Sequence, residues 1–150
     1  QSLTISYLAS RLNGILGVGK DCSGPLSFLE SPAAIIGTET RGKILACAFP
    51  PSLSDLKTFS SAGITGLICF SMQEKDLRDF IGTDLGVINT GNELLPFSLL
   101  ILNGFASDPM PSALWNSLKA LEGSHSYLAP HTRIRAGVVR PFIDFIQGGL

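Results

Sequence analysis

The sequence predicts an α/β domain built on a mainly parallel central sheet with flanking helices, and three observations carry that expectation. Uninterrupted apolar runs, KILACAF, GLICF and FSLLIL, have the length and composition of strands covered on both faces. Segments with helix-capping residues separate them, and strands alternating with helices imply parallel pairing through crossover helices. The two ends of the chain carry shorter extended stretches, which read as a smaller antiparallel layer formed by an N-terminal hairpin and C-terminal strands.

In chain order, YLASRL and ILGVG flank Asn13-Gly14, a pair that favours a type I′ turn because both positions need positive φ. The spacing therefore predicts a hairpin. KDCSGPLSFLESP holds turn formers and two prolines and predicts a loop with a short extended piece. AAIIG and KILACAF follow as strands, and Pro50-Pro51 ends the second. Ser52 with Asp55 reads as a helix start, with Leu53, Leu56 and Phe59 at helical spacing and Gly63 as the stop. GLICF is the next strand, and Ser71 with Glu74 predicts a capping box on a helix reaching about Phe80. LGVINT is a further strand, FSLLIL a stronger one. In SALWNSLKALEG, Leu114, Leu118 and Leu121 share one face, Ser112 is placed to cap and Gly123 to stop the helix. SYLAP, AGVVR and FIDFI complete the chain as short extended segments. The whole is expected to be one domain over 1–150, with a hairpin and connecting segment over 1–40, a β/α core over 41–129 and terminal strands over 130–150.

Composition limits the classes of function. Charged residues are 15% of the chain against the ~25% usual for soluble domains, and hydrophobic residues are 45%, so some of the surface is expected to be covered by another body. A net charge of -1, with 11 basic residues spread along the chain, supplies no field for a polyanion, so no nucleic-acid partner is expected. No apolar stretch approaches the ~18 residues of a membrane span, so no membrane partner is expected either. Three cysteines make no disulfide framework and no paired zinc-ligand spacing; Cys47 and Cys69, inside apolar runs, read as small hydrophobes. A cytoplasmic setting fits that usage. Gln1 and the closing QGGL lead us to expect a piece of a larger protein.

Chemical motifs are sparse. GILGVGKD, Gly14 to Asp21, falls one residue short of a phosphate loop, because a carboxylate stands where the magnesium-binding hydroxyl belongs and Gly24-Pro25 interrupts any helix. His125 and His131 lack the spacing that puts two ligands on one helical face. No G-x-S-x-G elbow presents a nucleophile. No metal, cofactor or catalytic residue is therefore expected. Architecture supplies the remaining candidates, since ligands of parallel sheets collect outside the carboxyl ends of the strands. Four segments meet there: Pro50-Pro51-Ser52, Ser71-Met72-Gln73, Thr90-Gly91-Asn92 and the longer loop over 103–108. In the last, Gly104 lets a backbone approach closely and Phe105 offers apolar area, so Asn103, Gly104, Phe105 and Asp108, with Ser71, are the expected contacts of a ligand or partner. Arg133, Arg135 and Arg140 form a second candidate group, since Arg suits carboxylates and phosphates.

The order of RGKILACAF, DLKTFSSAGITGLICFS, LLPFSLLILN and a helix ending in ALEG resembles that of protease-associated and other swivelling β/β/α domains over residues 41–129. Gly42-Lys43-Ile44, Ala62-Gly63, Gly66-Leu67-Ile68 and Pro96 fill the places of that pattern. The resemblance implies a non-catalytic module that contacts ligands or partners of a larger protein, with no active-site residues to transfer. The expected function is accordingly a non-enzymatic interaction or ligand-contacting domain, its partners other domains of the same protein or a second copy of the chain. Two alternatives stand beside it: a small-molecule-binding or enzymatic domain using the strand-end loops, and a structural subunit whose apolar surface builds an oligomer.

Overall fold

The computed structural model describes residues 9–31, 40–81, 96–130, 133–134, 138–139 and 141–146. The elements run β1 (Ala9–Asn13), β2 (Leu16–Val18), β3 (Cys22–Leu29), β4 (Ile44–Cys47), α1 (Leu53–Ala62), β5 (Gly66–Met72), α2 (Glu74–Ile81), β6 (Ser98–Phe105), α3 (Ser112–Lys119), β7 (His125–Ala129), β8 (Arg133–Ile134), β9 (Val138–Val139) and β10 (Phe142–Ile146). Eight of them form one sheet in the order β1-β10-β7-β3-β4-β5-β6-β2, and β8 pairs with β9. The expected α/β class is observed.

A mainly parallel sheet is not. β3, β4, β5 and β6 make a parallel core, whereas β1 with β10, β10 with β7, β7 with β3 and β2 with β6 are antiparallel. The apolar runs recorded the parallel strands, but the pairing partners of the short terminal strands are set by long-range contacts that a local pattern does not carry.

The expected hairpin is replaced by a crossing. β1 and β2 do not pair with each other; they lie at opposite ends of the strand order although two residues separate them. Gly14 donates its N–H to the Pro141 carbonyl at 2.8 Å and Ile15 to the Ile101 carbonyl at 2.9 Å, so adjacent residues bond to the residue before β10 and to β6, the strands next to the two edges. The two edge strands of the sheet, β1 and β2, are thus joined by one short continuous stretch of chain. Two glycines permit it. A Cβ on Gly14 would lie 2.7 Å from the Ile101 carbonyl oxygen, and one on Gly17 would lie 2.1 Å from the Pro130 carbonyl oxygen. The glycines of the near-miss phosphate loop are therefore used for close backbone approach.

Residues 22–29, expected within a loop, form β3. Its first half pairs antiparallel with β7 and its second half parallel with β4, and Pro25 sits where the partner changes. Proline is tolerated there because the strand gives up one donor at the handover. The parallel strands then alternate strictly between two cores. Leu45, Cys47, Leu67, Cys69, Leu99 and Ile101 join Leu56 and Phe59 of α1 and Leu77 of α2 on one face. Ile44, Ala46, Ile68 and Leu100 turn to the other, meeting Leu128 of β7, Ile143 and Phe145 of β10, and Trp115 and Leu118 of α3. Burial on both faces is the physical content of the unbroken apolar runs.

Caps were legible in one helix of three. Ser52 and Asp55 form the capping box of α1, and Gly63 closes it at φ 79°. Ser71, by contrast, belongs to β5, and α2 begins at Glu74, so the expected Ser71–Glu74 box does not form. Ser112 is the first residue of α3 rather than its cap, and Pro111 precedes it without a side-chain bond. On α3, Leu118 is buried as expected, while Leu114 and Leu121 are half-buried at the margin of a face centred on Trp115 and Leu118. The strands expected at AAIIG and LGVINT lie outside the described residues.

Candidate functional site

The carboxyl ends of β3 and β4 and the first turns of α3 enclose a cleft of about 580 Å³. Ala48 donates to the Leu29 carbonyl at 3.1 Å, which holds the two strand ends level, and Met110 donates to the Ala48 carbonyl at 2.8 Å, which ties the β6–α3 connection across them. This brings Pro109 and Met110 to one wall, Ala48 and Phe49 to the next, and Trp115 and Asn116 of α3 to the third. Trp115 is almost wholly buried, its ring edge-on to Phe28 with centroids 5.2 Å apart. Its indole N–H donates to Glu30 Oε2 at 3.4 Å. Lys119, one turn further along α3, places its ammonium 3.7 Å from the same oxygen. A cavity of this size, with apolar walls and a few convergent polar groups at its rim, has the make-up of a small-ligand or side-chain pocket.

The expected contact residues occupy the same side of the sheet without forming this cleft. Asn103, Gly104 and Phe105 do not begin a loop; they prolong β6, where Gly104 pairs with Ser71 and Phe105 with Met72 beyond an irregularity in register. Parallel pairing with β5 outlasts the apolar run, so both strands extend further than their composition indicated. Gly104 has φ 137°, and Ile15 packs over it, the Ile15 Cδ1 atom lying 3.0 Å from where a Cβ would stand. Ile15 and Phe105 are exposed. Ser71 is buried, with no partner for its hydroxyl among the described residues. Asp108 is exposed, and the side chain of Gln73 reaches Ser107 beside it. Arg133 lies in β8 opposite Val139, and Arg135 and Arg140 lie outside the described residues. Met110 is buried and lines the cleft. Comparisons with known proteins found no matching family model, curated protein or solved structure.

At the opposite, amino-terminal edge a smaller pocket of about 220 Å³ is bounded by Lys20, Asp21, Cys22, Thr65 and Ser98. Ser98 donates its hydroxyl to the Lys20 carbonyl and Tyr127 donates to Asp21. Burial pushes the Cys22 thiol up to about 11, against the opposing influence of hydrogen bonds with Ser98 and Thr65. At neutral pH this group is a thiol, whereas nucleophilic chemistry uses the thiolate. Burial likewise drives Cys47 and Cys69 well upward, in keeping with their place in the apolar core. Among the described residues no group of three or more His, Cys, Asp or Glu side chains is placed to hold a metal ion. No described helix is long and apolar enough to cross a membrane.

Sequence reasoning pointed to the carboxyl edge of the parallel strands, where this cleft opens, and did not name the residues that shape it. Glu30 follows a strand that read as loop, and Trp115 shares a helix face that leucine spacing had centred elsewhere. The available signal was the single tryptophan of the chain, placed in the first turns of a helix beside a strand-end loop.

Proposed function

We propose that this chain is a non-catalytic domain that contacts a ligand or partner of a larger protein, and that it does so through the cleft at the carboxyl ends of β3 and β4. The observation that carries the reading is the cleft itself: an open cavity of about 580 Å³ walled by Phe49, Met110 and Trp115, with Glu30 and Asn116 at its rim. Apolar walls supply affinity and the few rim polar groups supply orientation. A helix-covered parallel core backed by an antiparallel layer supports the resemblance to swivelling β/β/α domains, whose part is contact. The neighbouring exposed pair Ile15 and Phe105 adds apolar area on the same side of the sheet, suited to another domain or a second copy. A cytoplasmic setting belongs to the same proposal.

Trp115 is the only tryptophan, so tryptophan emission excited to the red of the absorption of the two tyrosines comes from the wall of this cleft. Titration with a library of small molecules and short peptides is expected to find at least one class that changes the emission saturably, with amide shifts in NMR spectra centred on Glu30, Phe49, Met110 and Asn116. Ligands whose shifts centre on Cys22 and Ser98 instead, with Trp115 emission unchanged, refute the assignment of the cleft.

A further inference from the structure

Resting on that cleft as the contact site, we infer that it accepts a positively charged side chain, lysine or arginine, presented by a polypeptide partner. Among the described residues, Glu30 is the one charged residue lining the cavity. Both contacts of its carboxylate, from the Trp115 indole and the Lys119 ammonium, fall on Oε2, which leaves Oε1 without a partner among the described residues. The neighbouring walls are hydrocarbon, thioether and aromatic surface from Pro109, Met110 and Phe49. A long side chain that ends in a cation needs that combination, because its methylene stem gains from apolar contact while its head must keep a polar partner. An anionic head would meet Glu30, and a purely aliphatic chain would leave the carboxylate beside it with nothing gained.

The protein already places one primary amine on this carboxylate. Lys119 approaches Glu30 at 3.7 Å, with 69% of the Glu30 side chain exposed, a geometry in which the internal pair contributes little and yields to a better-placed cation. Lys119 therefore acts as a competitor that lowers affinity slightly without closing the site. An incoming ammonium or guanidinium takes Oε1, and Asn116 at the rim is left for the backbone of the segment that carries it.

The test uses the whole chain and four short peptides, N-acetylated and C-amidated to remove terminal charges, with lysine, arginine, norleucine or glutamate at the centre. Binding is read by Trp115 fluorescence and NMR shifts. The lysine and arginine peptides are expected to bind about twofold to fivefold more tightly than the norleucine peptide, the scale of an ion pair on an exposed carboxylate. That preference should shrink as salt is raised. Glu30→Gln, which keeps an acceptor for the indole, should abolish the preference, and Lys119→Met should tighten cation binding about twofold to fivefold. Circular dichroism checks that both variants keep the fold. Equal binding of norleucine and lysine peptides, or a cation preference that survives Glu30→Gln, overturns the inference while leaving the cleft as a contact site. Failure of every peptide and every library compound to change Trp115 emission overturns the inference and the proposed site together.

Discussion

Replacing Gly17 with alanine tests the crossing that carries the chain from β1 at one edge of the sheet to β2 at the other. Gly17 has no positive φ, so backbone preference alone would favour alanine slightly, by roughly 0.4–1 kcal/mol through the unfolded chain. Sterics oppose it. A Cβ there would stand 2.1 Å from the Pro130 carbonyl oxygen, 2.6 Å from its Cα and 2.7 Å from its carbonyl carbon. All three are backbone atoms, so no rotamer change relieves the contact, and β2 must move away from the end of β7. Overpacking typically costs about 1–3 kcal/mol, and a collision confined to backbone belongs at or above the top of that range, about 3 kcal/mol. Gly123 supplies the converse control: its φ is 85° and nothing lies within 4 Å of a Cβ, so Gly123→Ala meets left-handed strain without collision, about 1–2 kcal/mol. Urea denaturation followed by circular dichroism measures both. With a slope of roughly 1–3 kcal/mol/M, Gly17→Ala should lower the midpoint by about 1–3 M. A loss under about 1 kcal/mol, or one smaller than that of Gly123→Ala, would mean that β2 does not lie against Pro130.

Three further outcomes follow from the core, the caps and the thiols. Leu118 is 4% exposed between α3 and the sheet, so Leu118→Ala should cost about 2–5 kcal/mol in the same assay, and a loss below about 1 kcal/mol would place another face of α3 inward. Ser52→Ala removes the two bonds of the Ser52 hydroxyl, which accepts from the Asp55 N–H at 3.2 Å and donates to Asp55 Oδ2 at 3.1 Å, leaves the backbone N–H of residue 52 bonded to Asp55 Oδ2, and should cost about 1 kcal/mol. Ser112→Ala, which removes no cap, should fall within about 0.5 kcal/mol of the parent, and equal losses at the two serines would refute the assignment. The Cys22 thiol is raised to about 11, so the folded protein keeps a proton that the unfolded chain releases near 8.5, and the stability this confers is complete below about pH 8.5 and declines as pH rises toward about 11. Cys22→Ser should flatten that decline in urea midpoints measured across the window, and iodoacetamide should label Cys22 slowly at pH 7.5; rapid labelling there would refute the raised value.

Legibility followed the range of the interaction. KILACAF, GLICF and FSLLIL were readable as strands because burial on both faces leaves an unbroken apolar record, now seen as strict alternation between two cores. Ser52, Asp55 and Gly63 were readable because a cap is a contact over three or four residues. The same rule misfired at Ser71, whose pairing with Gly104 extends β5 through the position where a cap would form. It misfired again at Asn13-Gly14, where local turn preference lost to bonds with Pro141 and Ile101, each about a hundred residues away in sequence. The cleft shows both sides of this limit. Parallel topology pointed to the edge where the cleft opens, while Glu30, Phe49, Met110 and Trp115 converge from three separate segments, and nothing within any one segment marks that convergence.

The sequence by itself determined the α/β class, the buried strands of the parallel core, the capped first helix and the burial of Cys47 and Cys69, because each depends on hydrophobic periodicity or on contacts a few residues long. Only the tertiary structure decided which partners the antiparallel terminal strands take, that Gly14 and Gly17 serve a crossing instead of a hairpin, and that one carboxylate and the single tryptophan share a cleft. Those features are fixed by backbone pairing and packing between distant segments, whose free energy exceeds local turn and cap preferences and leaves no periodic trace in the residues that obey it.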